Sequence, residues 1–218
     1  VTYDDNYIES VWWSLKEIDK KGLLYKGYKI VPYCPRCGTA LSSHEVAQGY
    51  KDVKERSVFV RFRLVDEENT SFLAWTTTPW TLPSNTALCV GPSIDYVRVL
   101  SFNPYTGAKA VYVLAKALVG AWFNPKGADA PMEYSQGDKV VPYRILEGEF
   151  KGSDLVGIRY RQLIGWFSPV EGDAFRVISG DYVTTEDGTG IVHIAPTFGA
   201  DDKKVATNFG IPGIMPVD

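Results

Sequence analysis

The clearest pattern in the chain is an alternation of apolar and polar positions between residues 57 and 65. Apolar residues occupy every second position from Val58 to Leu64, and Arg61 and Arg63 stand between them. Because successive side chains of a strand point to opposite faces, this pattern predicts a half-buried antiparallel strand. The two arginines are then expected on the solvated face.

Apolar runs punctuated by turn residues recur along most of the chain. They predict further strands over residues 71–75, 86–90, 96–102, 110–114, 139–146, 159–163, 175–184 and 191–195. Strands at such turn-punctuated intervals favour a sandwich or a barrel over βαβ units.

Three segments have helical character instead. Between Asp4 and Lys21 apolar residues recur at helical spacing, Asp4 can cap the start, and Gly22 follows the end. Shorter helices are predicted over residues 115–122 and 203–210. The pattern therefore indicates an α+β fold that is rich in strands and carries peripheral helices. The Trp-rich stripe of the first helix is expected to pack against neighbouring structure.

Composition narrows the class of protein. The 218 residues are 45% hydrophobic and 13% aromatic, with 20 Gly and 13 Pro, which suits short strands joined by turns. No apolar run is long enough to span a bilayer, and no charged and apolar leader opens the chain. We therefore expect no membrane partner and a cytoplasmic location. A start at Val1 and an end without an obvious stop suggest a domain of a longer protein.

The most distinctive phrase is LAWTTTPWTLPSN, from Leu73 to Asn85. Three threonines end an apolar strand, and Pro79 disfavours the helical region for Thr78. In an extended chain Thr76 and Thr78 would face one way and Thr77 the other. The strand end then presents a row of hydroxyls that can donate and accept hydrogen bonds. Threonines alone are also simply good strand residues.

A second phrase, GTGIVHIAPTFGADD, runs from Gly188 to Asp202. Its alternation places Ile191, His193 and Ala195 on one face of a strand. Two acids then precede a short helix, and capping by one of them is the ordinary explanation for such a pair. The GTG triplet lacks the strand–loop–helix setting and the third glycine of a dinucleotide site.

The two phrases, in this order, resemble those of the editing domain of isoleucyl-tRNA synthetases. Thr78-Pro79-Trp80 is the isoleucine-type version of a segment that reads Thr-Arg-Pro in the valyl and leucyl enzymes. The resemblance covers the whole chain and implies a β-barrel-like editing domain over residues 51–218. Residues 1–50 would form an N-terminal helix and a connector.

The resemblance also implies site residues. Asp202 would bind the α-amino group of the substrate, with Asp201 as the helix cap, although these two assignments could be exchanged. His193 would contact the amino acid or help to order water, and Thr77 would share in the chemistry. The residues expected to bind substrate or the terminal adenosine are Thr76, Thr78, Trp80 and Asn85, and Leu82 is a further candidate for the wall.

Two of the three cysteines have the spacing of zinc ligands, but they supply only half of a zinc site. Cys34-Pro35-Arg36-Cys37-Gly38 has the spacing of half a zinc knuckle, but tetrahedral zinc needs four ligands. By the resemblance, the other half lies outside this sequence. We expect reduced, metal-free cysteines here, with zinc possible at Cys34 and Cys37 only in the full-length protein. Cys89 lies in an apolar strand, where burial would keep it inert.

The implied function is post-transfer editing, the hydrolysis of valyl-tRNA(Ile), without a metal or organic cofactor. The implied partners are the 3′ acceptor end of tRNA(Ile) carrying valine and the remainder of the synthetase. A net charge of -3 argues against a nucleic-acid protein, but less so if only a single-stranded RNA end is received. Phosphate contacts by Arg61 or Arg63 remain an alternative to a solvated face. A non-catalytic module that binds the RNA end or an amino-acid-like small molecule is the alternative function.

Overall fold

Two open sheets, a small hairpin and short helices make up the described part of the chain. The structure is a computed structural model, and it describes residues 1–169 and 171–216. The strands are β1 (Tyr33–Cys34), β2 (Thr39–Ala40), β3 (Val58–Arg63), β4 (Thr70–Thr76), β5 (Ala87–Val90), β6 (Asp95–Phe102), β7 (Lys109–Ala115), β8 (Tyr143–Lys151), β9 (Arg176–Ser179) and β10 (Ile191–Ile194). The helices are α1 (Asp5–Lys20), α2 (Ser43–Ala47), α3 (Val119–Trp122), α4 (Gly152–Leu155) and α5 (Ala200–Asn208), with 3₁₀ turns at Pro79–Ser84, Lys116–Leu118 and Pro125–Gly127.

The larger sheet has five strands in the order β3-β4-β7-β6-β8. β3 pairs antiparallel with β4, so that Val60 lies opposite Ala74, and β4 runs parallel to β7. Val60 and Phe62 are buried, whereas Arg63 is exposed. The alternation predicted for this strand is therefore confirmed.

The smaller sheet has the order β10-β5-β9, with β5 buried along its whole length. β4 and β10 are in contact, and the main hydrophobic core includes Phe62, Phe72, Leu88 and Tyr160. The predicted sheet-rich α+β class with peripheral helices is confirmed. The described strands form open sheets with no closed barrel.

Several predicted boundaries are wrong. The strand predicted over residues 139–146 starts only at Tyr143, directly after Pro142, and continues to Lys151. Residues 159–163 do not form a strand. Arg159 and Tyr160 make single bridges, to Arg176 and Leu64 respectively. Of residues 175–184, only Arg176–Ser179 is a strand, since Phe175 has a positive φ of 60° and the chain turns after Gly180.

The N-terminal region lies apart from the core. The predicted first helix is confirmed as Asp5–Lys20, but it has no buried residue, and the first buried position in the chain is Val60. Within residues 1–169 and 171–216, the apolar stripe of α1 is not covered. The proposed division at residue 50 stays a prediction. None of the described helices combines the length and apolarity needed to cross a bilayer.

Candidate functional site

A cavity of about 590 Å³ lies where the end of β4, the Pro79–Ser84 turn, β10 and the start of α5 meet. The two phrases singled out in the sequence therefore come together in space. Six of the seven predicted site residues line this cavity: Thr76, Thr77, Thr78, Trp80, His193 and Asp202.

The threonines form a hydroxyl-bearing wall. The Oγ1 atoms of Thr76 and Thr78 are 3.3 Å apart, and the Thr78 backbone N–H donates to Thr76 Oγ1 at 3.1 Å. Thr77 is exposed, while Thr76 is buried, so the predicted division of faces is confirmed. Thr78, before Pro79, has φ −119° and ψ 64°, outside the helical region but short of full extension.

His193 is held at the buried side of the cavity by Thr81, a residue that the sequence analysis did not single out. His193 Nε2 lies 3.1 Å from Thr81 Oγ1, and the Thr81 hydroxyl donates to the Thr78 carbonyl at 2.9 Å. Since that hydroxyl has one proton, it accepts from His193, and the proton of the neutral ring is on Nε2.

The remaining ring nitrogen, His193 Nδ1, is buried and has no hydrogen-bond partner in the described part of the chain. Burial lowers the pKa of His193 to about 4, because a charged imidazolium would lose its hydration there. The ring is therefore neutral at pH 7, and it serves as a polar wall rather than as a cation.

Asp202 lies in the first turn of α5, and its Oδ2 accepts the Ala195 backbone N–H at 2.9 Å. Among the described residues, no donor reaches its other oxygen. Burial raises the pKa of Asp202, the Ala195 bond opposes this rise, and the charge of Asp201 adds to it. The cavity therefore contains a carboxylate with free capacity to accept a donor.

The predicted helix cap is wrong for both acids. The N-cap of α5 is Gly199, and no side chain caps it. Asp201 and Asp202 instead occupy the first turn, where a negative charge still interacts favourably with the helix dipole.

The structure places two predicted wall residues elsewhere. Asn85 is 3% exposed, its Nδ2 donates to the Ala87 carbonyl at 2.8 Å, and its Oδ1 accepts from the Tyr160 hydroxyl at 2.7 Å. Leu82 belongs to the hydrophobic core. Trp80 lines the cavity and is 62% exposed. Asn85 and Leu82 therefore support the fold around the cavity rather than line it.

The glycines of the GTG triplet lie where the chain approaches its neighbours closely. Gly190 has φ +73°, and a Cβ there would lie 2.5 Å from the Cβ of Ala115, so a larger residue would not fit. Gly188 packs against Trp75, and the Trp122 indole N–H donates to the Gly188 carbonyl. Both glycines line the cavity.

The described residues that line the cavity include no serine, cysteine or lysine. Cys89 lies outside it and is fully buried in β5, and burial raises the pKa of its thiol to about 11. The arrangement is suited to binding a molecule with a cationic amine next to polar groups.

The two cysteines of the knuckle lie far along the chain from this cavity, on the β1–β2 hairpin. The Cys37 backbone N–H donates to Cys34 Sγ at 3.4 Å, and backbone hydrogen bonds from Cys37 and Arg36 lower the pKa of Cys34. The described residues contain no group of three or more metal-ligating side chains. These thiols match half of a tetrahedral zinc site, and zinc binding in the longer protein stays a prediction.

Curated relatives match the chain along its whole length. The chain is 60% identical over 228 residues to isoleucine–tRNA ligase of Bacteroides fragilis, covering 100% of this chain and 20% of that protein. It is 53% identical over 220 residues to the Clostridium tetani enzyme, covering 100% and 19%. The chain thus spans about a fifth of the length of these curated relatives.

Among solved structures, the chain resembles the editing domain of cytosolic leucyl-tRNA synthetase from P. knowlesi. That likeness has a TM-score of 0.51 at 18% identity, and it covers 74% of this chain and 65% of the other. At this identity the likeness concerns the fold. The family model for class I tRNA synthetases (I, L, M and V) matches residues 1–189. The resemblance noted in the sequence is thereby confirmed, and the chain belongs to the class I tRNA synthetases of the I, L, M and V group.

Proposed function

We propose that this chain is the editing part of an isoleucyl-tRNA synthetase and hydrolyses the ester of valyl-tRNA(Ile). The identity of 60% to an isoleucine–tRNA ligase and the fold shared with an editing domain support this assignment. The observation that carries it is one cavity that contains a carboxylate with an oxygen free to accept a hydrogen bond, a neutral imidazole and threonine hydroxyls.

The need for such a site is physical. A pocket that fits isoleucine cannot strongly exclude valine, which lacks only one methylene, and this pair of amino acids is itself the known example of that limit. A second, smaller pocket can admit valine and refuse isoleucine on steric grounds. The wall of Thr76, Thr78 and His193 would provide that boundary.

Asp202 would bind the α-ammonium group of the amino acid. One carboxylate oxygen is fixed by the Ala195 N–H, and this bond orients the other oxygen as the acceptor for the incoming cation. The charged residues that line the cavity are Asp187 and Asp202, both acidic. A cationic amine is therefore favoured over an anionic group.

Hydrolysis asks little of the protein because an aminoacyl ester is already activated. Water held near the ester carbonyl is sufficient as the nucleophile, and the threonine hydroxyls can donate to it or accept from it. His193 remains neutral and contributes to the shape and polarity of the wall. Thr77, on the exposed face, would contact the terminal adenosine.

The test is deacylation of valyl-tRNA(Ile) by this chain, with isoleucyl-tRNA(Ile) as the control substrate. We expect faster hydrolysis of the valyl ester. Thr78→Ala should weaken this preference, because it removes part of the wall, and Thr106→Ala, at an exposed turn position, should leave it unchanged. Binding of either tRNA without hydrolysis would instead indicate a non-catalytic RNA-end-binding module.

A further inference from the structure

A second cleft, of about 660 Å³, lies on the outer face of the five-stranded sheet. The strand pairing places Phe59 opposite Trp75 and Arg61 opposite Leu73 on this face. Phe59 and Trp122 contact each other edge to face, with ring centroids 4.5 Å apart. Phe59 is 44% exposed and Trp122 is 40% exposed, so both rings still offer surface to a ligand.

The charge of this cleft is opposite to that of the first cavity. The charged side chains that line it are Arg61 and Lys139, and no aspartate or glutamate joins them among the described residues. Arg61 is half-buried and makes no ion pair in the part of the chain that the structure describes. Such a combination in a chain of net charge -3 is suited to an anion.

The lining of the cleft contacts the lining of the first cavity. Trp122 lines the cleft, and its indole N–H donates to the carbonyl of Gly188, which lines the cavity. Trp75 lines the cavity and lies opposite Phe59 of the cleft. A ligand that leaves the cavity past Trp75 therefore reaches the Phe59–Trp122 pair next.

We propose that this cleft binds the nucleotides that immediately precede the terminal nucleoside of the RNA substrate. A base stacks on the Phe59–Trp122 pair, and Arg61 binds the adjoining phosphate. Aromatic side chains beside cations are the usual means of holding single-stranded nucleic acid without reading its sequence. This inference rests on the proposed function, since it assumes that the charged RNA end enters the first cavity.

An acidic peptide could also pair with two cations. RNA is favoured because the cleft adjoins the cavity in which the ester would lie, so that one continuous strand can occupy both. Tyr112, which also lines the cleft, is 6% exposed and adds a rigid aromatic floor beside Arg61.

The test compares two valyl esters with this 218-residue chain: valyl-adenosine, and a single-stranded RNA of four nucleotides with the same terminal valyl-adenosine. The variants are Arg61→Gln and Phe59→Leu. The matched control is Arg63→Gln, an exposed arginine on the same face of the same strand that does not line the cleft. Kinetic constants are measured for both substrates over a range of salt concentrations.

We expect Phe59→Leu to lower kcat/KM for the RNA ester by about 5- to 160-fold, mainly through KM, since this is the range of base stacking on an aromatic ring. Arg61→Gln should also lower it and should reduce the salt slope of log kcat/KM by about 0.7, as expected for one lost phosphate contact. Neither variant should change hydrolysis of valyl-adenosine.

Equal losses for both substrates, or the same loss with Arg63→Gln, would overturn the proposal. If the wild-type chain hydrolyses neither ester, the proposed function fails, and the cleft is then judged by fluorescence anisotropy with the uncharged tetranucleotide. Weaker binding of the tetranucleotide by Arg61→Gln, but not by Arg63→Gln, would still support the proposed cleft. Unchanged binding by Arg61→Gln would refute it and would leave a protein segment as the occupant.

Discussion

Replacement of Asp202 by asparagine tests whether the chemistry lies in the cavity. The substrate ammonium would lose its carboxylate partner, and a charge left unpaired in an interface costs roughly 2–5 kcal/mol. Asp202 is still partly reached by solvent, so the lower end of this range applies. A cost of about 2 kcal/mol corresponds to a loss of about 30-fold in kcat/KM for valyl-tRNA.

The Ala195 hydrogen bond separates binding from folding. Asparagine retains an oxygen that can accept the Ala195 N–H, so we expect Asp202→Asn to unfold almost like the wild-type chain. Alanine has no such acceptor, and Ala195 is only 1% exposed, so its N–H would be left buried and unpaired. Asp202→Ala should therefore lose about 1–3 kcal/mol of unfolding free energy as well as activity.

The assay measures the deacylation rate of valyl-tRNA and urea unfolding for both variants. Asp201→Asn is the matched control, since Asp201 is exposed in the same helical turn and does not line the cavity. A near-normal rate for Asp202→Asn would show that the carboxylate does not bind the ammonium group. Equal damage by Asp201→Asn would show that the helix dipole, and not the cavity, is affected.

Three further outcomes are expected. His193 has a folded pKa of about 4 against 6.5 when unfolded, so the unfolded chain binds the proton first as pH falls, and stability should drop between pH 6.5 and 4. The unfolding free energy, measured with urea, should fall by about 3 kcal/mol more in the wild-type chain than in His193→Gln over this pH range. A difference between the two chains that does not change with pH would refute the burial argument. Tyr160→Phe should leave Asn85 Oδ1 without its donor and cost about 1–3 kcal/mol of unfolding free energy, while valyl-tRNA KM stays within about twofold; a large KM effect would restore Asn85 as a binding residue. Purified chain should contain much less than one zinc per molecule by elemental analysis, since Cys34 and Cys37 supply two ligands of four, and one tightly bound zinc would show that other side chains of the chain complete the site.

Features that depend on neighbouring residues could be predicted from the sequence. The alternation around Val60 determined which side of β3 is buried, and the phrase from Leu73 to Asn85 determined that Thr76 and Thr78 share a face. The helix from Asp5 to Lys20 followed from helical spacing, whereas the predicted capping bond is wrong, since Asp4 occupies the N-cap position and its side chain accepts from the Val1 amino group instead. In each case the side-chain period of a strand or helix fixes the direction of the side chains locally.

Features that depend on contacts between distant segments were decided only by the tertiary structure. His193 lies against Thr81, 112 residues earlier, and this contact sets its tautomer. Asn85 was expected in the cavity wall, but Tyr160, 75 positions away, binds it inside the core. No local pattern carries such pairings.

The roles of Asp201 and Asp202 and the make-up of the second cleft were also decided only by the tertiary structure. The resemblance favoured Asp202 over Asp201 as the ligand but left the two exchangeable, and the structure distinguishes them, since Asp202 lines the cavity and accepts the Ala195 N–H directly after β10. The alternation around Arg61 predicted an outward arginine, but not the aromatic pair beside it. Trp122 reaches that face from 61 positions further along the chain, because the packing of α3 against the sheet brings it there.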